Sequence, residues 1–201
     1  LGTLTVNGGN VVSDGGIANL SMNMKCESYG LRTNGEITVN SNGKLIANAG
    51  ESWRESFGIY ARGLDEEDRS IIVNGGYVEG NADFVVSRGG YIGASTGIYA
   101  TRILYVDGGT VIGRGGVSTD ESLTPIGINA SAVSLSNGAS VTGYGGDCKS
   151  TYAATIYDVG SGGTVKDSIG IRLTETSHSV GEESVLAGIG GAMITGSGTG
   201  S

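Results

Sequence analysis

The feature that most constrains this chain is a three-part unit that keeps returning. From Gly97 to Gly113 it reads GIYATRILYVDGGTVIG, which divides into GIYA, ILYVD and GGTVIG. The same order appears from Gly58 as GIYA, IIVN and GGYVEG, and from Gly127 as GINA, VSLSN and GASVTG. Each piece alternates apolar with other residues, the period of a strand and not of a helix. Three short strands with one apolar face cannot close a core alone. Stacked copies can, so the unit predicts a solenoid. The middle strand turns Val6, Val39, Val73, Val106 and Leu135 inward, at intervals of 33, 34, 33 and 29. The third strand turns in Val11, Leu45, Val78, Val111 and Val141, and the first strand Leu31, Ile59, Ile98, Ile128, Ile156 and Ile171.

Composition supports many tight bends. The chain has 39 glycines and one proline in 201 residues, and glycine supplies the positive φ that sharp turns need. The residue after each inward middle-strand position is Asn7, Asn40, Asn74, Asp107 and Ser136. Small polar residues before a Gly-rich bend predict a ladder bonded from turn to turn. Two stretches break the rhythm: Phe84–Ala94 reads as an extra, shortened turn, and Thr155–Asp167 as the start of another. The last turn is expected over Val185–Gly196, with a frayed tail over residues 196–201 and one domain over 1–201.

Several classes are excluded. A net charge of −8 does not suit a phosphate backbone, which needs clustered Lys and Arg, so no nucleic-acid partner is expected. No apolar run reaches membrane-spanning length. Cys26 and Cys148 fall about four repeats apart, roughly 19 Å at ~4.8 Å per rung. A disulfide needs Cα atoms within about 7 Å, so both thiols are expected to be free. The chain begins at Leu1 with neither Met nor a signal-like segment, which reads as a cut or processed piece.

GI-x-A, then apolar-x-apolar-Asn, then Gly-Gly-x-Val-x-Gly resembles the right-handed parallel β-helix of the pectate-lyase-like proteins. The resemblance implies an all-β, right-handed, three-sided parallel β-helix, here of about seven coils. It implies a short bend between the second and third strands and long loops after the third. The segments Asp14–Tyr29, Asn48–Phe57, Arg114–Ile126 and Tyr144–Ala153 occupy those loop positions. That fold hosts lyases, hydrolases, adhesins and binding modules, so function needs a site. Within it, the chain is similar to non-catalytic, carbohydrate-binding bacterial surface proteins. This implies a secreted or cell-surface location and a polysaccharide partner, such as a host or plant glycan.

The first strand supplies the candidate site. If its apolar residues point in, the next residues point out: Arg32, Tyr60, Tyr99, Asn129, Tyr157 and Arg172. Tyrosine offers an apolar face and a hydroxyl to a sugar ring. Arginine at both ends of the column could fork to a uronic carboxylate. The resemblance places the glycan groove along this strand and the loops beside it. The bland alternative is that aromatic residues simply favour strands. Catalysis on a glycan would need two carboxylates facing the substrate, and this column holds none. A polysaccharide lyase or glycoside hydrolase, and a structural stalk, remain as other readings.

Other motifs carry less. No cofactor is read into the chain. The loop Asp65-Glu66-Glu67-Asp68 could hold calcium, but it lacks EF-hand spacing and Arg69 sits beside it, the pattern of a solvated loop. Gly93-Ala94-Ser95-Thr96-Gly97 matches the nucleophile-elbow pattern without the strand-to-helix turn that pattern requires, and His178 lies far along the repeat order. The sequons at Asn19 and Asn129 are short matches of the kind chance supplies. Trp53, the lone tryptophan, borders the groove as a sugar platform or as a lid on the solenoid.

Overall fold

The computed structural model describes residues 2–18, 26–63, 69–85, 94–117, 124–147, 153–158 and 168–190, with 153–158 described by their backbone alone. No helix occurs among them. The strands form three parallel sheets of six, which wrap a shared core as a three-sided parallel β-helix. The first-strand sheet runs in space as β3 (Glu27–Thr33), β6 (Glu55–Ala61), β9 (Ala94–Ala100), β12 (Thr124–Ala130), β16 (Ser168–Leu173) and β15 (Ala153–Asp158). The middle sheet contains β1 (Leu4–Val6), β4 (Ile37–Asn40), β7 (Arg69–Asn74), β10 (Ile103–Asp107), β13 (Val133–Ser136) and β17 (Ser179–Val180). The third contains β2 (Gly9–Asp14), β5 (Gly43–Asn48), β8 (Tyr77–Asn81), β11 (Thr110–Arg114), β14 (Ser140–Tyr144) and β18 (Val185–Ile189).

The core follows from the alternation. Val6, Val39, Val73, Val106 and Leu135 stand in register on neighbouring strands, and all are buried. Leu45, Val78, Val111 and Val141 line the third sheet, and Ile59, Ile98, Ile128 and Ile171 the first. Burying each such side chain contributes about 1.5–3 kcal/mol.

The bends between second and third strands use the left-handed region. Asn42 and Asn137 have φ of 66° and 53°, and Gly109 has 83°. A Cβ at Gly109 would lie 2.3 Å from the Gly76 carbonyl oxygen, so only glycine fits there. The Asn column does form hydrogen bonds: Asn40 Nδ2 donates to Asn7 Oδ1 at 2.7 Å and Asn74 Nδ2 to Asn40 Oδ1 at 2.9 Å. A second ladder, not foreseen, ends the third strand, where Asn48 donates to Asp14 and Asn81 to Asn48.

Three sequence expectations are revised. First, Phe84 and Val85 belong to no extra turn, because β6 and β9 pair directly. The corner after each third strand is itself stacked: Ala18 bridges Ser52, and Ser52 bridges Val85. Val85 is fully buried there, which explains its strand-like pattern; residues 86–93 lie outside the described residues. Second, β15 does not form a new turn in sequence order. It lies at the outer edge, and β16 enters between β12 and β15. Third, Val185–Ile189 does not open a last turn but supplies the third strand of the rung that begins at Ser168. Residues 191–201, the loop 65–68, Asn19 and Cys148 fall outside the described residues. Cys26 is a buried free thiol.

Candidate functional site

The outward surface of the first sheet is shaped by a kink in each strand. Consecutive residues Gly58 and Ile59 are both buried, and so are Gly97 with Ile98 and Gly127 with Ile128. A Cβ at Gly58 would lie 2.3 Å from the Asn81 backbone nitrogen and 2.5 Å from the Gly97 oxygen. Glycine therefore lets the first strand press against the end of the third. The kink leaves three positions per strand off the core: Glu27, Tyr29 and Arg32 on β3, then Glu55, Phe57 and Tyr60 on β6, and Ala94, Thr96 and Tyr99 on β9, with Phe57 and Thr96 buried beneath their neighbours.

Beneath this surface, a serine column ties the wall together. Ser28 Oγ donates to the Gly16 carbonyl and accepts from the Gly50 N–H, both at 2.8 Å. Ser56 Oγ donates to Gly50 O and accepts from Asp83 N–H. Ser95 Oγ donates to Asp83 O at 3.0 Å and accepts from Gly116 N–H at 2.8 Å. Each hydroxyl joins the corner of one coil to that of the next. Ser95 is fully buried, so the nucleophile pattern around it is a structural rung. His178 is exposed in the turn before β17, and Trp53 sits half-buried at the corner before β6.

The candidate residues stand in register as Arg32, Tyr60, Tyr99, Asn129, Arg172 and Tyr157. Arg172 therefore follows Asn129, and Tyr157 takes the outer position; the arginines do not close both ends of the column. The Tyr60 and Tyr99 rings stack in parallel at 5.2 Å. Phe57 meets both edge-on, at 5.4 and 5.7 Å, and stacks on Tyr29 at 5.4 Å. The Arg32 guanidinium lies 4.9 Å from the Tyr29 ring centre and 5.5 Å from that of Tyr60. Separate sugar platforms were expected. Instead, rings one strand spacing apart cover each other's faces, which leaves edges and hydroxyls outward. Burial raises the Tyr99 hydroxyl pKa, helped by Tyr60 and opposed by the charge of Arg172.

Two residues that single-column reasoning missed join this face. Glu27 and Glu55 stand opposite each other in register. Burial raises the Glu55 carboxyl pKa, and the charge of Glu27 beside it adds to the rise, while Arg54 opposes it. Arg54 Nη1 lies 3.6 Å from Glu27 Oε1, and the Tyr29 hydroxyl donates to Glu27 at 2.6 Å. Burial, that hydrogen bond and the Glu27 charge push the Tyr29 hydroxyl pKa well up. The signal was present: ESYGLR (27–32) and ESFGIY (55–60) match position for position.

The described residues hold no cluster of three or more His, Cys, Asp or Glu suited to a metal. Fold and surface together define the class, a three-sided parallel β-solenoid with an aromatic and guanidinium-lined outer face. Comparison with protein-family models, with curated proteins and with solved structures finds no match.

Proposed function

We propose that the outer face of the first sheet binds an extended polysaccharide, without catalysis, as part of a pectate-lyase-like adhesion or glycan-binding module at the cell surface or outside the cell. The observation that carries this reading is the register line of Arg32, Tyr60, Tyr99, Asn129 and Arg172. Phenol hydroxyls, a carboxamide and guanidinium groups are the donors and acceptors that sugar hydroxyls require. The guanidinium groups add charge-assisted bonds to uronic carboxylates. Mutual stacking holds the tyrosines in place before a ligand arrives, which lowers the ordering cost of binding. With about 1 kcal/mol per contact, affinity falls in the micromolar to millimolar range.

A glycan array and titration with polygalacturonate test the proposal. Retention of uronate-containing or neutral polysaccharides supports it, and no binding to any arrayed glycan leaves the stalk reading in its place. One observation favours a second reading. The register pair Glu27 and Glu55 brings two carboxyl groups to the same face, and glycoside hydrolysis works through two carboxyl groups. Release of new reducing ends or unsaturated products from a bound glycan would select that reading.

A further inference from the structure

We propose that Asn137 is a self-modification site, where the Asp107 carboxylate of the preceding coil assists intramolecular loss of the Asn137 side-chain amide. The sequence holds five Asn-Gly pairs, beginning at Asn7, Asn34, Asn42, Asn74 and Asn137. A glycine after asparagine leaves the next backbone nitrogen unshielded, so that nitrogen can attack the side-chain carbonyl carbon. The fold treats the five pairs differently. The Gly75 N–H donates to the Asp107 carbonyl at 3.0 Å, and the Asn74 amide donates to Asn40. Gly35 and Gly43 are buried, and a Cβ on either would meet backbone of the preceding coil. Asn7 lies on an open bend, but its side-chain oxygen accepts from Asn40.

Asn137 combines the two features that favour the reaction. With Gly138 it forms the exposed tip of the bend between β13 and β14, at φ of 53° and 70°. Nothing lies within 4 Å of a Cβ placed on Gly138, so the tip has room to rotate. The Asn137 amide nitrogen donates to Asp107 Oδ1, which also accepts from Ser136 Oγ at 2.6 Å. Among the described residues, no other Asn-Gly amide donates to a carboxylate. In the reaction, the Gly138 nitrogen forms a bond to Asn137 Cγ, and the Cγ–Nδ2 bond breaks. Both nitrogens are briefly on one carbon, so a carboxylate touching Nδ2 also reaches the Gly138 proton. Asp107 takes that proton and passes it to the departing nitrogen, which leaves as ammonia. Water then opens the succinimide ring to aspartate or isoaspartate, and Asp107 is left unchanged. The product sets a new carboxylate against Asp107, and the like charges repel. The bend loosens, and the change is one-way.

The test is peptide mapping by mass spectrometry over a time course at neutral pH, which reads the exchange of –NH2 for –OH at each asparagine. The urea-unfolded chain gives the rate of each dipeptide alone. In the folded protein, Asn74 should fall well below its unfolded rate, and Asn137 should be the fastest of the five. Asp107→Ser should slow the Asn137 reaction roughly tenfold or more, as loss of a positioned base does. A carboxylate that merely restrained the amide would give the opposite result, because its removal would free Asn137 to react faster. Circular dichroism checks that the variant is folded, and if it is not, the ranking within the parent decides. Asn137 reacting no faster than Asn74 in the folded parent overturns the proposal. So does a folded Asp107→Ser variant in which Asn137 reacts as fast as in the parent, or faster.

Discussion

The Tyr60 and Tyr99 rings lie parallel, with centroids 5.2 Å apart and planes within 2°. Parallel register alone brings them there, since Tyr60 and Tyr99 are Cα partners on β6 and β9. What they offer a ligand is thus a pair of hydroxyl-bearing edges held at a fixed spacing. Tyr60→Phe with Tyr99→Phe should keep the stack and the melting temperature but weaken glycan binding, each lost hydrogen bond costing about 0.5–1.5 kcal/mol. Titration calorimetry beside a melting curve separates this from a ring-face mode, in which the Phe pair would bind as well as the parent.

Val106 is fully buried between Val73 and Leu135. Val106→Asp would place an unpaired charge in the core and should destabilise by several kcal/mol. Urea titration should show a lower midpoint; an unchanged one would mean that this column does not face the interior.

Gly58→Ala should destabilise by about 1–3 kcal/mol, because its Cβ would overlap the Asn81 nitrogen and the Gly97 oxygen. Gly138→Ala meets nothing within 4 Å, and its cost should come from its φ of 70° alone. Thermal melts of the two should rank Gly58→Ala as the more damaging.

The raised Glu55 carboxyl gives a pH dependence of definite sign. A folded-state pKa above the ordinary 4.5 means the folded protein holds this proton more tightly than the unfolded chain. The stability it contributes is full below pH 4.5 and is lost as pH rises through the raised value. Glu55→Gln should therefore melt above the parent at neutral pH and converge with it in acid. Parallel melting profiles at both pH values would contradict the assignment.

How much of this was legible in the sequence depends on the period of the signal. A two-residue alternation returning at intervals near 33 sets register, so Val39, Val73 and Val106 could be placed inward before any coordinates. Alternation does not say which rung a strand occupies. ATIYD in β15 and SIGIRL in β16 carry the same pattern, and only the fold orders β16 before β15. Alternation also fails across the Gly-Ile kink, where two successive residues turn inward. Glu27 and Glu55 were lost for that reason, since the outward count restarts on the other side of the kink. The ring-on-ring stacking was out of reach for another reason: side-chain faces are decided by neighbours across strands, not along the chain.

The central claim is that the face carrying Tyr60 and Tyr99 holds a polysaccharide. Affinity electrophoresis of the parent and of the Tyr60→Ala, Tyr99→Ala double variant in gels containing polygalacturonate or a neutral glucan tests it most directly. The parent should be retarded by at least one of these polymers. The double variant should run as in a plain gel while staying folded by circular dichroism, with a lowered melting temperature because both rings pack against the buried Phe57. Equal retardation of a folded double variant would contradict the claim and remove this face as the binding site.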